Sequence, residues 1–557
     1  MSEELTIEES SPWLVLVITL VGGFLRVLLL DSKGMWLDET FSIWLAGQDV
    51  PGMLQWIVRI DQHPPLYYLL LHYWMELTGE SPYQVRLLSV LFGTATIPVI
   101  YLIGKRMSGT AMGLAAAVFL ALSPFHIYFA QEARMYTLLT FNAAMAIHAL
   151  VRLLVDPRSG MPIGAQFRQY LHDWRTPGPV EADSEAGFSY KTMTRPRTGW
   201  RAWILRHRWG SIQTVETDLA WIAFIVFSVA TMLTHNTAVL LPLATNVFVI
   251  GLMLYQRLKK NGAQPAFQAP TFGNWMKAQA GILLLWAAWI PSFIKQAGAV
   301  DRRFWIPEPT WDAVLQMLKF FLNASLSQPA LSWVLYVLVL CLGLVHFRRR
   351  ISQFLFLVAL FAIPIAAELL VSLRRPIFWD RTLLWTTIPL FLVLAGGIVQ
   401  LRFRFLIIGA VCVLGTFNLF STGDYFRFFR KEDWNTAARC VAGTAEKGDL
   451  VLFNSNFVEI PFNYYFKPYE DYYFIQVEKR GIPLDLDDDG VLEPEMKAGD
   501  IPGLIALLRG HDRVWLVYSH DSYTDPLGLI PETLAAEMTL IRECDFYGGQ
   551  VQLYEAP

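Results

Sequence analysis

Apolar runs long enough to cross a hydrocarbon core recur along three quarters of this chain and leave it few folds to adopt. They lie near 12–30, 84–104, 111–130, 136–155, 218–236, 237–256, 275–293, 331–347, 352–373, 382–399 and 404–420. Each is close to the ~20 residues that a helix needs to span ~30 Å of lipid, and they number about eleven. Inside lipid every backbone polar group must be satisfied within its own segment, so such runs are read as helices. Composition agrees, with 54% hydrophobic and 17% charged residues in 557. The expected class is a polytopic α-helical membrane protein. A net charge of −3, with no basic patch outside loops that topology explains, gives no sign of a nucleic-acid partner.

Basic residues are retained in the cytoplasm during insertion, so the loops between runs predict orientation. Lys105-Arg106, the Arg-rich stretch 156–217, Arg257-Lys259-Lys260, Arg348-Arg349-Arg350 and Arg402-Arg404 alternate onto one side. Asp38-Glu39, Gln131-Glu132, His235-Asn236, residues 294–330, Arg374 to Arg381 and the C-terminal segment fall on the other. The first side is read as cytoplasmic, in a plasma or inner membrane, with Met1 on that side. The N-terminal segment lacks the basic region and small-residue cleavage site of a signal peptide, so the first run is read as a retained anchor.

The first outer loop, 31–82, carries two apolar pieces too short to span, Pro51 to Ile60 and Pro64 to Leu77, read as helices lying in or dipping into the interface. The cytoplasmic stretch 156–217 mixes Arg, Pro, Gly and Trp and is read as an amphipathic anchor on anionic membrane lipids. Residues 1–420 are thus expected to form the membrane domain, and 421–557 a small α/β domain outside the cytoplasm. In the latter, strands are expected at 449–454, 472–476, 513–519 and 550–555, and helices at 433–446, 456–466, 501–509 and 531–539. Cys440 and Cys544 both fall there and can pair if the compartment is oxidising, whereas Cys341 and Cys412 lie in spans.

Four clusters on the outer side carry chemistry. Asp38 and Glu39 are adjacent and diverge by ~100° on a helix, so one at most faces a given reacting atom; both also suit a helix N-terminus. His63-Pro64-Pro65 joins an imidazole to a turn that can simply start a helix. In Ser123 to Tyr136, Glu132 and Tyr136 share a helical face by i,i+4 spacing. Arg134 points elsewhere and should pair outside its own helix, as a packing salt bridge or at a site, and His126 is read as a packing residue. Arg374-Arg375-Pro376-Ile377-Phe378-Trp379-Asp380-Arg381 puts positive charge where topology does not expect it, which calls for an anion, headgroup or lipid-linked phosphate. Arg86 and Arg302-Arg303 are lesser candidates of the same kind.

In order and spacing these pieces resemble the membrane glycosyltransferases of the GT-C superfamily. The likeness is to the family of the protein O-mannosyltransferases and the aminoarabinose transferase of lipid A. The resemblance covers about residues 12–420. It rests on Leu37-Asp38-Glu39, His63-Pro64-Pro65-Leu66-Tyr67-Tyr68, Arg86-Leu87-Leu88-Ser89, Ser123-Pro124, Gln131-Glu132-Ala133-Arg134-Met135-Tyr136, Thr234-His235-Asn236-Thr237 and Arg381.

The resemblance implies a sugar donor on a polyprenyl phosphate, transfer outside the cytoplasm and inversion at the anomeric carbon. A hydroxyl acceptor is a poor nucleophile at neutral pH and needs a carboxylate to take its proton. Asp38 falls on the family's acidic position and is the expected base. Glu39 and Glu132 orient a substrate or hold a cation. Arg381 with Arg374 or Arg375, helped by Arg134 or Arg86, stabilises the leaving phosphate. His63, Tyr136 and His235 are further substrate contacts, although His235 is followed here by Asn236 where relatives often carry tyrosine.

No cofactor is required by this reading, and a divalent cation on Asp38, Glu39, His63 and Glu132 stays open. Asp485, Asp487, Asp489 and Gly490 follow a calcium-loop spacing with Met496 in the place of the bidentate acid, so an acidic turn competes with a calcium site. The rival function is a transporter or flippase of lipid-linked sugars. Charges gathered at one boundary and the lack of broken helix pairs count against it. The sugar, and whether the acceptor is lipid, glycan or protein, are not written in these motifs.

Overall fold

The computed structural model describes residues 2–59, 63–155, 219–258, 266–299, 306, 308–322, 329–486 and 493–557. The anchor expected over 156–217, Arg302-Arg303, Asp487 and Asp489 lie outside them.

Among the described residues eight helices are long and apolar enough to cross a membrane, and a ninth span is formed if one bent pair is counted together. The first and fifth expected runs are represented by shorter apolar helices, Pro12–Val27 and Leu219–Met232. The chain is a multi-pass integral membrane protein. The bent pair is the expected span 111–130: Thr110–Ala121 and Pro124–Ala130 meet at 57°. Pro124 has no N–H to continue the first helix, and Ser123 restarts the second by accepting from the backbone N–H of His126 at 3.4 Å.

The following residues, 131–135, are not helical, and the next helix begins at Tyr136. The expected i,i+4 pairing of Glu132 with Tyr136 therefore does not form. The tight turn instead frees the Ala133 N–H to face another element.

The ends of the bundle sort by charge as the loops suggest. At one end Arg350 donates to the Met107 carbonyl at 3.3 Å, Gln353 reaches the same oxygen at 3.0 Å, and His346 meets the Ser108 hydroxyl at 2.9 Å. At the other end the first outer loop folds as three short helices, Leu37–Ala46, Val50–Arg59 and Leu66–Thr78. The last two match the apolar pieces, and Tyr67, Tyr68, Leu71 and Met75 bury one face of the third. The helix Pro82–Ser108 starts with a capping box, Ser81 with Gln84, and Pro82 in its first turn, which fixes Arg86 just inside the bundle. The most central span, Asp380–Gln400, begins as a 3₁₀ segment over Asp380–Thr386 and packs against Pro329–Phe347. Gly343 and Gly397 permit that contact, since a Cβ on either would collide with the carbonyl of Val393 or Val339.

Beyond the helix Arg404–Phe428 lies a small sheet domain. Its strands are β1 (Leu450–Phe453), β2 (Glu478–Gly481), β3 (Arg513–Ser519), β4 (Thr539–Phe546) and β5 (Gly549–Glu555), in the order β2-β1-β3-β5-β4. β1 runs parallel to β2 and β3, while β5 pairs antiparallel with β3 and β4. Alternation divides the core: Val451, Phe453, Trp515 and Val517 pack under Trp434–Ala442 and Glu459–Tyr473. Leu450, Leu452, Val514 and Leu516 pack under Ile501–Leu508 and Leu529–Glu537.

Three features of this domain depart from expectation. Residues 472–476 end a helix and turn at Phe474 (φ 54°) where a strand was expected, β2 follows them unanticipated, and β4, also unanticipated, is an exposed edge strand joined to β5 through Tyr547-Gly548. Cys440 and Cys544 form a disulfide across 104 positions, linking the helix Trp434–Ala442 to β4.

Candidate active site

The two adjacent carboxylates have separate fates. Glu39 points inward and is fully buried. Arg86 holds it with two bonds of 2.8 Å and also donates to the carbonyls of Leu30, Lys33 and Gly34 at 2.8–2.9 Å, clamping the chain between the first helix and Leu37. Ala133 N–H donates to Glu39 at 2.8 Å. Lys431, from the segment after the last span, reaches Glu39 at 2.9 Å and Glu132 at 3.3 Å, its side chain 2% exposed. Burial pushes the Glu39 carboxyl up, but Arg86 and Lys431 more than offset this and hold it at about 2. Glu132 is also fully buried, and burial pushes it up; it shares Lys431 with Glu39, whose charge repels it.

Asp38 faces a different set. Arg381 Nη1 bonds its Oδ2 at 2.8 Å, and Arg134 Nε stands 4.0 Å from the same oxygen. Arg134 also donates to the Asp38 carbonyl at 3.1 Å and the Ser42 hydroxyl at 3.0 Å; it pairs with another element as expected, although it stands in the turn 131–135 and not in a helix. Burial raises the Asp38 carboxyl, yet Arg134, Arg381 and His63 together hold it below the usual carboxylate range. Its side chain keeps 22% exposure, where Glu39 and Glu132 have none. The Arg381 guanidinium lies over the rings of Tyr136 (5.6 Å) and Trp379 (5.7 Å). Tyr136 neighbours His235 at 6.4 Å, and His235 neighbours His63 at 5.0 Å between ring centroids. His235 caps its short helix by accepting from Thr237 N–H at 3.2 Å.

Asp38, Arg134, Arg381, Tyr136, His235 and His63 thus come together, and Glu39, Arg86 and Glu132 form the sealed layer behind them. Arg374 and Arg375 do not join: both are exposed, and Arg375 donates to the Ala297 carbonyl. Arg381 reaches inward because Ile377 to Trp379 separate it from the end of the preceding helix. His126 is buried and bonds Thr387 at 2.7 Å, a packing role. Asp485 accepts from Gly481 N–H (2.7 Å) and Arg480 (2.8 Å). Among the described residues no group of three or more His, Cys, Asp or Glu is arranged to hold a metal ion. That includes Asp38, Glu39, His63 and Glu132, whose acids are engaged by Arg and Lys.

Comparison with solved structures places the fold. ArnT from Cupriavidus metallidurans superposes with a TM-score of 0.57 at 11% identity, 98% of each chain being covered; its undecaprenyl phosphate complex gives 0.56 at 10%, with the same coverage. The chain has the GT-C fold. The archaeal oligosaccharyltransferase AglB from Archaeoglobus fulgidus, in complex with an inhibitory peptide and a dolichol-phosphate, gives 0.51 at 8%. That match covers 95% of this chain and 72% of AglB. A family described as dolichyl-phosphate-mannose-protein mannosyltransferase matches residues 62–165, which include His63, Arg86, Glu132, Arg134 and Tyr136. No curated protein sequence matches the chain.

Within this GT-C fold, sequence reasoning missed Lys431 and a second polar group on the sheet domain. Glu432 accepts from Leu37 N–H at 3.3 Å and from the Trp434 indole at 2.7 Å, and its other oxygen is 3.2 Å from His520. Tyr523 donates to Glu493 at 3.0 Å. Burial lowers His520, but the Glu432 bond outweighs it and the imidazole is raised; Glu493 is raised by burial. The charge run Arg430-Lys431-Glu432-Asp433, directly after the last apolar run, was the available signal.

Proposed function

We propose that this protein is an integral membrane glycosyltransferase that moves a sugar from a polyprenyl-phosphate donor to a hydroxyl acceptor on the extracytoplasmic side, with inversion. The observation that carries the reading is the division of the acids: Asp38 alone of the three keeps an open face, between two guanidinium groups, while Glu39 and Glu132 are sealed by Arg86 and Lys431. The family match over residues 62–165, and the undecaprenyl phosphate and dolichol-phosphate bound by ArnT and AglB, support the donor class. The loop charges and the disulfide of the sheet domain support the side.

In this reading Arg381 and Arg134 take the donor phosphate. Both stand at the open face of Asp38, and Arg381 is preoriented by Tyr136 and Trp379. The acceptor oxygen bonds to the anomeric carbon as the bond from that carbon to the phosphate oxygen breaks, and the electron pair leaves with the phosphate. The acceptor proton passes to the Asp38 carboxylate. A carboxylate held this low is a weak base, so the proton moves late, once the attacking oxygen has become acidic. Arrival of the phosphate also draws Arg381 from Asp38, which makes the carboxylate more basic when the donor is bound.

Purified protein with a radiolabelled polyprenyl-phosphate monosaccharide should release lipid phosphate and label an acceptor, with opposite anomeric configuration in donor and product by NMR. Asp38→Asn should abolish the label without altering thermal unfolding. Retained configuration, or full activity in the Asn variant, would remove the inverting mechanism or the base assignment respectively.

A further inference from the structure

In an open α/β sheet, ligands settle outside the carboxyl ends of the parallel strands, where successive connections leave on opposite faces. The sheet domain has such a point. From β1 the chain reaches β2 through Glu459–Tyr473 on one face, and from β2 it reaches β3, on the other side of β1, through Ile501–Leu508 on the opposite face. The crevice between the ends of β1 and β3 is therefore flanked by Asn454-Ser455-Asn456 and Ser519-His520.

Polar groups gather there. Asn454 ties the strand ends together through Ser519 N–H at 2.9 Å and the Ser519 carbonyl at 2.6 Å. Asn456 accepts from Glu493 N–H at 3.2 Å, and Tyr523 donates to the Glu493 carboxylate. Ser455 is 1% exposed, and its hydroxyl has no hydrogen-bond partner among the described residues. The crevice also abuts the catalytic loop. Glu432 bridges His520 to the backbone N–H of Leu37, next to Asp38, and the Asp38 charge acts on Glu493, His520 and Tyr523 alike.

We propose that this switch-point crevice, lined by Ser455, Asn456, Glu493, His520 and Tyr523, is the acceptor subsite, and that it takes a neutral, hydroxyl-rich glycosyl group. This rests on the transferase reading above. The ligand class follows from the lining. Hydroxyl, amide and carboxylate groups match sugar hydroxyls, and several of them spaced from Asp38 to the strand ends suit a ring with many hydroxyls better than one serine or threonine side chain. A phosphorylated group at the strand ends would meet Glu432 and Glu493, with His520 already engaged by Glu432 and with Arg381 and Arg134 assigned to the donor phosphate.

The test uses the full-length protein in detergent with a series of neutral alkyl glycosides and their phosphorylated counterparts, and follows binding by saturation-transfer NMR and transfer from labelled donor. Tyr523→Phe and Ser455→Ala should each weaken neutral glycoside binding and raise acceptor KM roughly three- to tenfold, one hydrogen bond's worth, with donor KM and thermal unfolding unchanged. Asp38→Asn should still bind the glycoside. That arm separates the two readings: glycoside bound by wild type and the Asn variant, but weakly by the crevice variants, supports the subsite even if no sugar is transferred. Binding changed by less than about twofold in both crevice variants would overturn it, as would phosphorylated glycosides binding more tightly than neutral ones.

Discussion

Asp38 and Glu39 are neighbours in one short helix, yet one keeps an open face and the other is sealed in the core. Glu39 has four strong donors in Arg86, Lys431 and the Ala133 amide and no exposed surface. Asp38 has one close guanidinium, a second at 4.0 Å, and 22% exposure. The difference comes from helix geometry, since a ~100° step turns the second carboxylate into the bundle. Two identical charges one residue apart thus differ in kind: a saturated carboxylate fixes the loop, and an unsaturated one stays open, as the proposed base requires.

The sharpest way to break this contrast is to neutralise each acid in turn. Asp38→Asn is expected to lower transfer by about 10²–10⁴-fold, the range for a general base, with the melting temperature nearly unchanged. Glu39→Ala should do the reverse: it strands Arg86 and Lys431 in a buried site and should cost roughly 3–5 kcal/mol of stability, seen as a large drop in detergent thermal unfolding. If Glu39→Ala proved as stable as wild type and merely slow, the two roles would have to be exchanged.

Arg381→Lys comes next. A lysine keeps the charge but loses the planar group stacked between Tyr136 and Trp379, so kcat should fall by roughly 10²-fold with acceptor KM little changed. A normal kcat would shift the phosphate role to Arg134.

Acid titration gives the smallest effect. The Glu39 carboxyl is held at about 2, below its ordinary 4.5. The stability from its ion pairs is complete above 4.5 and is lost as pH falls toward about 2. Glu132 is raised above its ordinary 4.5, so its contribution runs the other way: stability is gained as pH falls to 4.5, before the Glu39 loss begins, and is flat below. Glu132→Gln should therefore remove a rise of melting temperature between neutral pH and 4.5 and leave the fall below 4.5 in place; an unchanged rise would contradict the assigned pairing.

What could be read from the sequence follows the range of the interactions. The spans and the split between Asp38 and Glu39 depend on local hydrophobicity and helical step, and the order of the motifs was enough for the fold. The bond from Lys431 to Glu39 joins positions 392 apart and leaves no local trace. Arg374 and Arg375 illustrate the converse: nearness in sequence to Arg381 suggested a shared role, but they are exposed. The Glu132 turn was hidden because an apolar run gives no hint of the break that Ser123-Pro124 begins and residues 131–135 complete. In the sheet domain the buried strands β1 and β3 announced themselves as short apolar runs, Leu450 to Phe453 and Val514 to Val517, and β5 by alternation. The edges β4 and β2 did not, and the aromatic residues Tyr472, Tyr473 and Phe474 that suggested a strand are exposed where the helix Glu459–Tyr473 ends.

Lys431 follows every apolar run in the chain. During synthesis Glu39 and Glu132 are made early, and their shared cation arrives only once the last span has been made. A chain interrupted before that point holds two carboxylates in a pocket built for two acids and two bases. Charge balance behind Asp38 thereby becomes a record of completed assembly, written by a residue 392 positions from Glu39.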